Sequence, residues 1–332
     1  MSADGTDLQD APPVEAPAEG KAARPLRRWL LRLRVVVPAV LVMGVGLYVL
    51  MSVAVVYGGT RPEHNPFEAY PEDFGLAYED VSFTPRGENI TLRGWLLNGT
   101  PGAPYLIFVH GIGDQRTGND ALDIASRLLR DKGYNILLFD LRAEGTSGGG
   151  LITAGQKEQL DVLGAYDFVV SRGAEPGRVG LISRSYGAGT SIMAAPREPG
   201  IGALVADSPF ADAQEFLAQE VARKTPIPKA VVSTLVPGAR FFADLLYGIH
   251  LGDLKPERAV SKITYPILII HGEADERVPV EQGRRVYAAA PAGSELWTLP
   301  GVTHCQAFQT QPDEYIRRVE AYLETRFETL TP

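Results

Sequence analysis

The sequence predicts an α/β fold: a mostly parallel central sheet with helices on both faces and a helical insertion, preceded by one transmembrane helix. Three observations predict it. Short apolar runs bounded by turn residues alternate with amphipathic segments through most of the chain. Runs such as Tyr105–His110 and Pro266–His271 are apolar at successive positions, as strands covered on both faces must be. Near the amino terminus, Val35–Tyr57 carries no charge over 23 residues. At about 1.5 Å rise each, such a stretch spans roughly 34 Å, enough for a hydrocarbon core of about 30 Å.

The elements follow in order. The first twenty residues, rich in Asp, Glu, Ala and Pro, read as a disordered tail. Lys21, Arg24, Arg27, Arg28, Arg32 and Arg34 precede the apolar span, and the nearest cation after it is Arg61. That bias places the amino terminus in the cytoplasm and the remaining chain outside. A cleaved signal peptide, with Ser52-Val53-Ala54 as the cleavage site, is the other reading, although the span exceeds the usual ~7–15 residue signal core. Pro38 is expected in the first turn of the span, where its missing N–H does little harm. The resulting division is a tail over 1–34, a span over 35–57, a linker over 58–75 and one catalytic domain over 76–330.

Within that domain, strands are expected at Asp80–Thr84, Leu92–Leu97, Tyr105–His110, Asn135–Asp140, Arg178–Ser183, Ala203–Asp207, Pro266–His271 and Glu295–Leu299. Leu122, Ala125, Leu128 and Leu129 stripe one helix that Gly133 ends, and Gln159–Ser171 is a second. A short helix of small residues starts at Tyr186, and a last one opens at Pro312 with Ile316, Val319, Leu323 and Phe327 inward. Ala211–Lys262 breaks the rhythm with amphipathic helical pieces and suits a cap inserted at about 211–262.

Composition narrows the chemistry. A formal charge of -8, with no cationic grouping on the catalytic portion, gives nucleic acid no electrostatic footing. The single cysteine, Cys305, excludes an intramolecular disulfide and a cysteine zinc cluster, and is expected to be a small packed residue. No cofactor or metal is expected: no His, Asp and Glu group has ligand spacing, and Gly145–Gly150 lacks the Lys-Ser/Thr end of a phosphate loop.

The motif Ser183-Arg184-Ser185-Tyr186-Gly187-Ala188-Gly189 runs from strand through a sharp turn into a helix. That geometry exposes Ser185 as a nucleophile, small neighbours let the turn pack, and the helix amino terminus favours nearby negative charge. His304, in Gly301-Val302-Thr303-His304 after the last strand, is the histidine left for a base. His64 lies in the linker, His250 in the insertion, and His110 and His271 frame other motifs. An imidazole titrates near operating pH, so it can take a proton and return it.

These motifs, with His110-Gly111-Ile112-Gly113 and His271-Gly272-Glu273-Ala274-Asp275-Glu276-Arg277-Val278-Pro279, resemble the α/β-hydrolase superfamily over Leu76–Phe327. The resemblance is nearest to single-domain relatives of the prolyl-oligopeptidase catalytic domain and to abhydrolase-domain proteins. Two departures stand out: Ser183 replaces the first Gly of Gly-x-Ser-x-Gly, and Ala143 replaces a Gly in Asp140-Leu141-Arg142-Ala143-Glu144-Gly145-Thr146-Ser147. The match implies a triad of Ser185, Asp275 and His304, and an oxyanion hole from the backbone N–H groups of Ile112 and Tyr186. Asp275 has a second reading as a turn or helix cap, and Asp207 is the other candidate acid. An ion pair between Asp140 and Arg116 is expected beside the site.

The function implied is hydrolysis of an ester or thioester, acting on a small or lipid-like acyl substrate. A peptidase or aminoacyl-amide hydrolase, and a non-enzymatic scaffold, remain the alternatives. The apolar insertion residues Val231, Val232, Leu235, Phe241, Phe242, Leu245, Leu246 and Tyr247 suit an acyl pocket, a bilayer contact, or plain packing on the sheet.

Overall fold

The computed structural model describes residues 23–61, 65–67, 69–118, 120–225 and 228–328. The acidic tail, Lys21 and His64 lie outside the described residues. The chain divides into two units at Val49/Leu50. Helix α1 (Ala23–Gly59) begins in the first, where its side chains from Val35 to Val49 are exposed. Because α1 begins well before the charge-free span, Pro38 is interior rather than in the first turn. With no N–H, it cannot donate to the carbonyl of Arg34.

In the second unit the end of α1 buries Ser52, Val56 and Thr60, and the Thr60 carbonyl accepts from the N–H of Ile152 at 2.9 Å. Eight strands then form one sheet: β1 (Glu79–Phe83), β2 (Leu92–Leu97), β3 (Tyr105–Val109), β4 (Asn135–Phe139), β5 (Val179–Arg184), β6 (Ile201–Asp207), β7 (Leu268–Gly272) and β8 (Glu295–Leu299). Their order is β1-β2-β4-β3-β5-β6-β7-β8, antiparallel at β1/β2 and β2/β4 and parallel elsewhere. The expected strand at Pro266 begins instead at Leu268. Pro266 has no donor for the ladder, and the Ile267 N–H goes to Ser294 Oγ at 3.0 Å.

Alternation along β3 shows why both faces must be covered: Ile107 and Val109 enter one core, Leu106 and Phe108 the other. Helices α2 (Ala121–Lys132), α3 (Glu158–Ser171), α4 (Tyr186–Ala194), α5 (Ala213–Lys224), α6 (Lys229–Tyr247), α7 (Pro256–Ala259), α8 (Val280–Ala289), α9 (Ala307–Thr310) and α10 (Pro312–Glu328) follow in chain order. Ile124 of α2 and Val319 and Leu323 of α10 fill the face shared with Leu106. Val162 and Val169 of α3, Ile192 of α4 and Val286 of α8 fill the other. Between β6 and β7 the chain runs through α5, α6 and α7. On α6, Val232 and Leu235 are buried, whereas Val231, Phe241, Leu245 and Leu246 are exposed.

Phe67 and Tyr70 lie against Trp95 of β2, with ring centroids 5.1 and 5.5 Å away. Arg116 caps this aromatic group, its guanidinium 4.7 Å from the Trp95 ring, and makes the expected pair with Asp140. Nε and Nη2 donate to the two carboxylate oxygens at 3.1 and 2.6 Å, and both residues are buried. Burial acts to raise the Asp140 carboxyl, but Arg116 outweighs it and leaves the group below its usual range. Arg116→Met should therefore destabilise the fold by about 3–5 kcal/mol, because it strands a buried carboxylate. The denaturant midpoint measures this, and an unchanged midpoint would refute it.

Candidate active site

The carboxyl ends of β3, β5, β6, β7 and β8 share one edge of the sheet, so the loops that follow them converge there. After β5 the chain turns at Ser185, whose φ of 53° and ψ of -119° are strained for a residue with a side chain. The strain is held by hydrogen bonds. The Ser185 N–H donates to the Asp207 carbonyl at 2.7 Å, and the Ser185 carbonyl accepts from Ala188 at 3.0 Å. A Cβ on Gly187 would sit 2.4 Å from the carbonyl oxygens of Val109 and His110, so α4 can start this close to β3 only with glycine there. Ser183 fits where the related motif has glycine because its hydroxyl lies 2.7 Å from that of Ser191 in α4.

Three side chains from separate loops meet at this edge. His304 Nε2 is 2.8 Å from Ser185 Oγ, and its Nδ1 is 2.7 Å from Asp275 Oδ2. Asp275 is fixed in turn, its Oδ1 accepting the N–H groups of Arg277 and Val278 at 2.9 and 2.8 Å. Burial acts to raise the Asp275 carboxyl, yet hydrogen bonds from His271 and His304 pull it down to about 2. Burial likewise opposes charge on His304. Cys305 and the Asp275 carboxylate override that and raise the imidazole above its ordinary value.

Asp207, the other candidate acid, has a different partner. Its carboxylate lies 3.6 Å from the guanidinium of Arg184 and accepts from Ser208 Oγ at 2.9 Å. Cys305 is buried with φ 54°, next to His304.

The loop after β3 crosses beside the serine: a Cβ on Gly111 would lie 3.4 Å from that of Ser185. Ile112 follows it, and Tyr186 opens α4 directly after Ser185. Two side chains, those of His110 and Glu144, shape this loop. His110 Nε2 accepts the Leu141 N–H at 3.0 Å while its Nδ1 lies 2.8 Å from the Gly111 carbonyl, which makes the ring a brace. The Gly113 N–H donates to Glu144 Oε1 at 2.5 Å, and burial pushes the Glu144 carboxyl well above its ordinary range. The sequence alone gives Glu144 and Arg184 no role of their own. For Arg184 the one signal is a charge closing a strand otherwise made of apolar or small residues, whereas Glu144 sits in a turn already charged at Asp140 and Arg142.

A cavity of about 1270 Å³ opens beside His304 and Asp275, walled by Gln219, Arg223, Pro228, Arg277, Pro279 and Thr303 among others. Among the described residues, no group of His, Cys, Asp or Glu is arranged to hold a metal ion.

Comparison with known proteins agrees with this architecture. The model of the X-Pro dipeptidyl-peptidase (S15) family matches residues 69–225. The Bacillus subtilis protein YqkD is 28% identical over 199 residues, covering 59% of this chain and 64% of that protein. The lysophosphatidylserine lipase ABHD12 of Macaca fascicularis is 29% identical over 194 residues, 57% of this chain and 46% of the lipase. This chain thus spans less than two thirds of either relative. Among solved structures, the Pyrococcus furiosus esterase Pf2001 superposes with a TM-score of 0.67 at 26% identity, covering 80% of this chain and 99% of the esterase. Sheet order, strained serine turn and these matches agree, and the chain belongs to the α/β-hydrolase superfamily.

Proposed function

We propose that the protein is a serine hydrolase that cleaves an ester or thioester through an acyl-enzyme. The observation that carries this reading is the pair of hydrogen bonds in series, Ser185 Oγ to His304 Nε2 at 2.8 Å and His304 Nδ1 to Asp275 at 2.7 Å. His304 Nε2 takes the hydroxyl proton as Ser185 Oγ bonds to the substrate carbonyl carbon. Asp275 keeps the imidazole in the tautomer that can accept there, and stabilises the cation that forms. The backbone N–H groups of Ile112 and Tyr186 receive the oxyanion, a contribution worth about 2.7–4 kcal/mol per donor in such sites. On collapse, His304 returns its proton to the departing alcohol or thiol. Water then attacks the acyl-enzyme by the same route and releases the acid.

The charge-free part of α1, residues 35–57, anchors the chain in a membrane. The amino terminus is cytoplasmic, and the catalytic domain over 76–330, with its insertion at about 211–262, lies on the other side. The exposed apolar side chains from Val35 to Leu50 and the preceding cations support this. An ester or thioester of a small or lipid-like acyl group is the substrate class, in keeping with the esterase and lipase relatives. The family match to X-Pro dipeptidyl-peptidases favours a second reading, cleavage of an aminoacyl amide.

A fluorophosphonate probe on the full chain tests the chemistry. The expected result is one adduct, mapped to Ser185 by peptide mass. An unlabelled protein would overturn the reading in favour of a hydrolase-fold scaffold. Comparing acyl esters, acyl thioesters and aminoacyl anilides separates the two enzymatic readings, with faster anilide cleavage favouring the peptidase.

A further inference from the structure

Arg184 stands directly before Ser185 and closes β5, a strand otherwise apolar or small. Its guanidinium is buried, with only 4% of the side chain exposed. Nη2 donates to the carbonyl of Cys305 and lies 3.6 Å from Asp207 Oδ2, while Nη1 is 3.9 Å from Asp120 Oδ2. Asp207 closes the neighbouring strand β6, and its own carbonyl accepts the N–H of Ser185 at 2.7 Å. Next to it, Ser208 Oγ donates to Asp207 Oδ1 at 2.9 Å and accepts the N–H of Cys305 at 3.2 Å.

Both backbone polar groups of Cys305 therefore end on one buried node, its carbonyl on Arg184 and its N–H on Ser208. Cys305 needs such restraint. Its φ of 54° is unfavourable for a residue with a side chain, and an unclamped loop would relax towards negative φ. Relaxation there would swing the adjacent His304, whose imidazole must stay within hydrogen-bond reach of both Ser185 and Asp275.

We infer that Arg184, with Asp207 and Ser208, is a positioning group for His304: a buried clamp that ties the imidazole's loop to the backbone of the nucleophile's turn. This rests on the Ser185–His304–Asp275 reading given above. It also gives Asp207 a role without making it the triad acid. The clamp touches no reacting atom, so it acts through the imidazole alone.

The test uses the full chain in lipid nanodiscs with a p-nitrophenyl ester. Because Arg184→Gln alone would leave the Asp207 carboxylate buried and unpaired, the first variant is Arg184→Gln/Asp207→Asn, which removes both charges and shortens only the arginine side chain. A misplacement of about 1 Å costs on the order of a hundredfold, so kcat should fall by about that factor while KM holds. The low-field proton NMR resonance of His304 Nδ1–H should broaden or vanish. Wild-type kcat with an intact resonance would overturn the inference. So would a loss confined to KM, or to the fraction of protein titrated by the fluorophosphonate, with the resonance unchanged, because that is a purely structural role.

Should the double variant fail to fold, Ser208→Ala decides by the same two readouts. It removes only the acceptor of the Cys305 N–H, and a wild-type result there would also overturn the inference. Absence of a Ser185 adduct on the wild-type protein ends both the clamp and the triad reading. A labelled wild type with unaffected variants ends the clamp alone.

Discussion

Ser185→Ala should abolish turnover, lowering kcat by about a million-fold, the loss that removing a triad nucleophile brings in other serine hydrolases. The argument is geometric. The hydroxyl is the only group on that side chain able to form the acyl bond, and it faces an imidazole 2.8 Å away on a strained turn. Alanine fits the same φ and ψ no worse than serine, so the fold should survive and KM should change little. Steady-state hydrolysis of a p-nitrophenyl ester, with the fluorophosphonate adduct lost in parallel, measures it. A Ser185→Ala protein turning over at the wild-type rate would place the chemistry elsewhere.

Asp275→Asn should lower kcat by about ten-thousand-fold, the effect of a triad acid that becomes an amide and favours the wrong imidazole tautomer. It should also move the pH profile. His304 works as a base only when neutral, so activity falls as pH drops through its pKa. The folded protein raises that pKa, so the acid limb should lie above about 6.5, the ordinary imidazole value. Burial opposes the imidazolium and Asp275 favours it, so loss of the carboxylate should move the limb to lower pH. A limb that stays in place would remove Asp275 from contact with the base.

Stability gives a second readout of the same carboxylate. Asp275 is depressed to about 2 in the folded protein, so its contribution is present above the unfolded value of about 3.9 and is lost as pH falls through about 2. The asparagine variant should show a shallower acid loss in that window.

Much of this fold is written in local pattern. Short apolar runs such as Tyr105–Val109 and Ile136–Phe139 are too short for helices and too apolar for exposed strands. The left-handed Gly133 ends α2 where its glycine marks the stop. The candidate site was legible for a related reason: Ser185, Asp275 and His304 each sit just beyond an apolar strand, within a motif of small or turn-forming residues. Other features could not be read this way. The uncharged span by itself puts Pro38 in a first turn, but the helix includes the charged residues upstream and begins at Ala23. Glu144, Arg184 and Ser208 carried no local sign of what they touch.

From residue order and chemistry alone, this chain's layered α/β class, its strand runs, its apolar amino-terminal stretch and its candidate reactive groups are determined. These depend on interactions among near neighbours, and apolar period, turn residues and missing charges record them directly. Tertiary structure alone decided the strand order, that Asp275 rather than Asp207 faces the imidazole, and that Arg184 grips the loop of His304. Those facts join residues up to 121 positions apart. Such pairings are chosen by the packing of whole layers and by the need to satisfy buried charge, which no short stretch of sequence records.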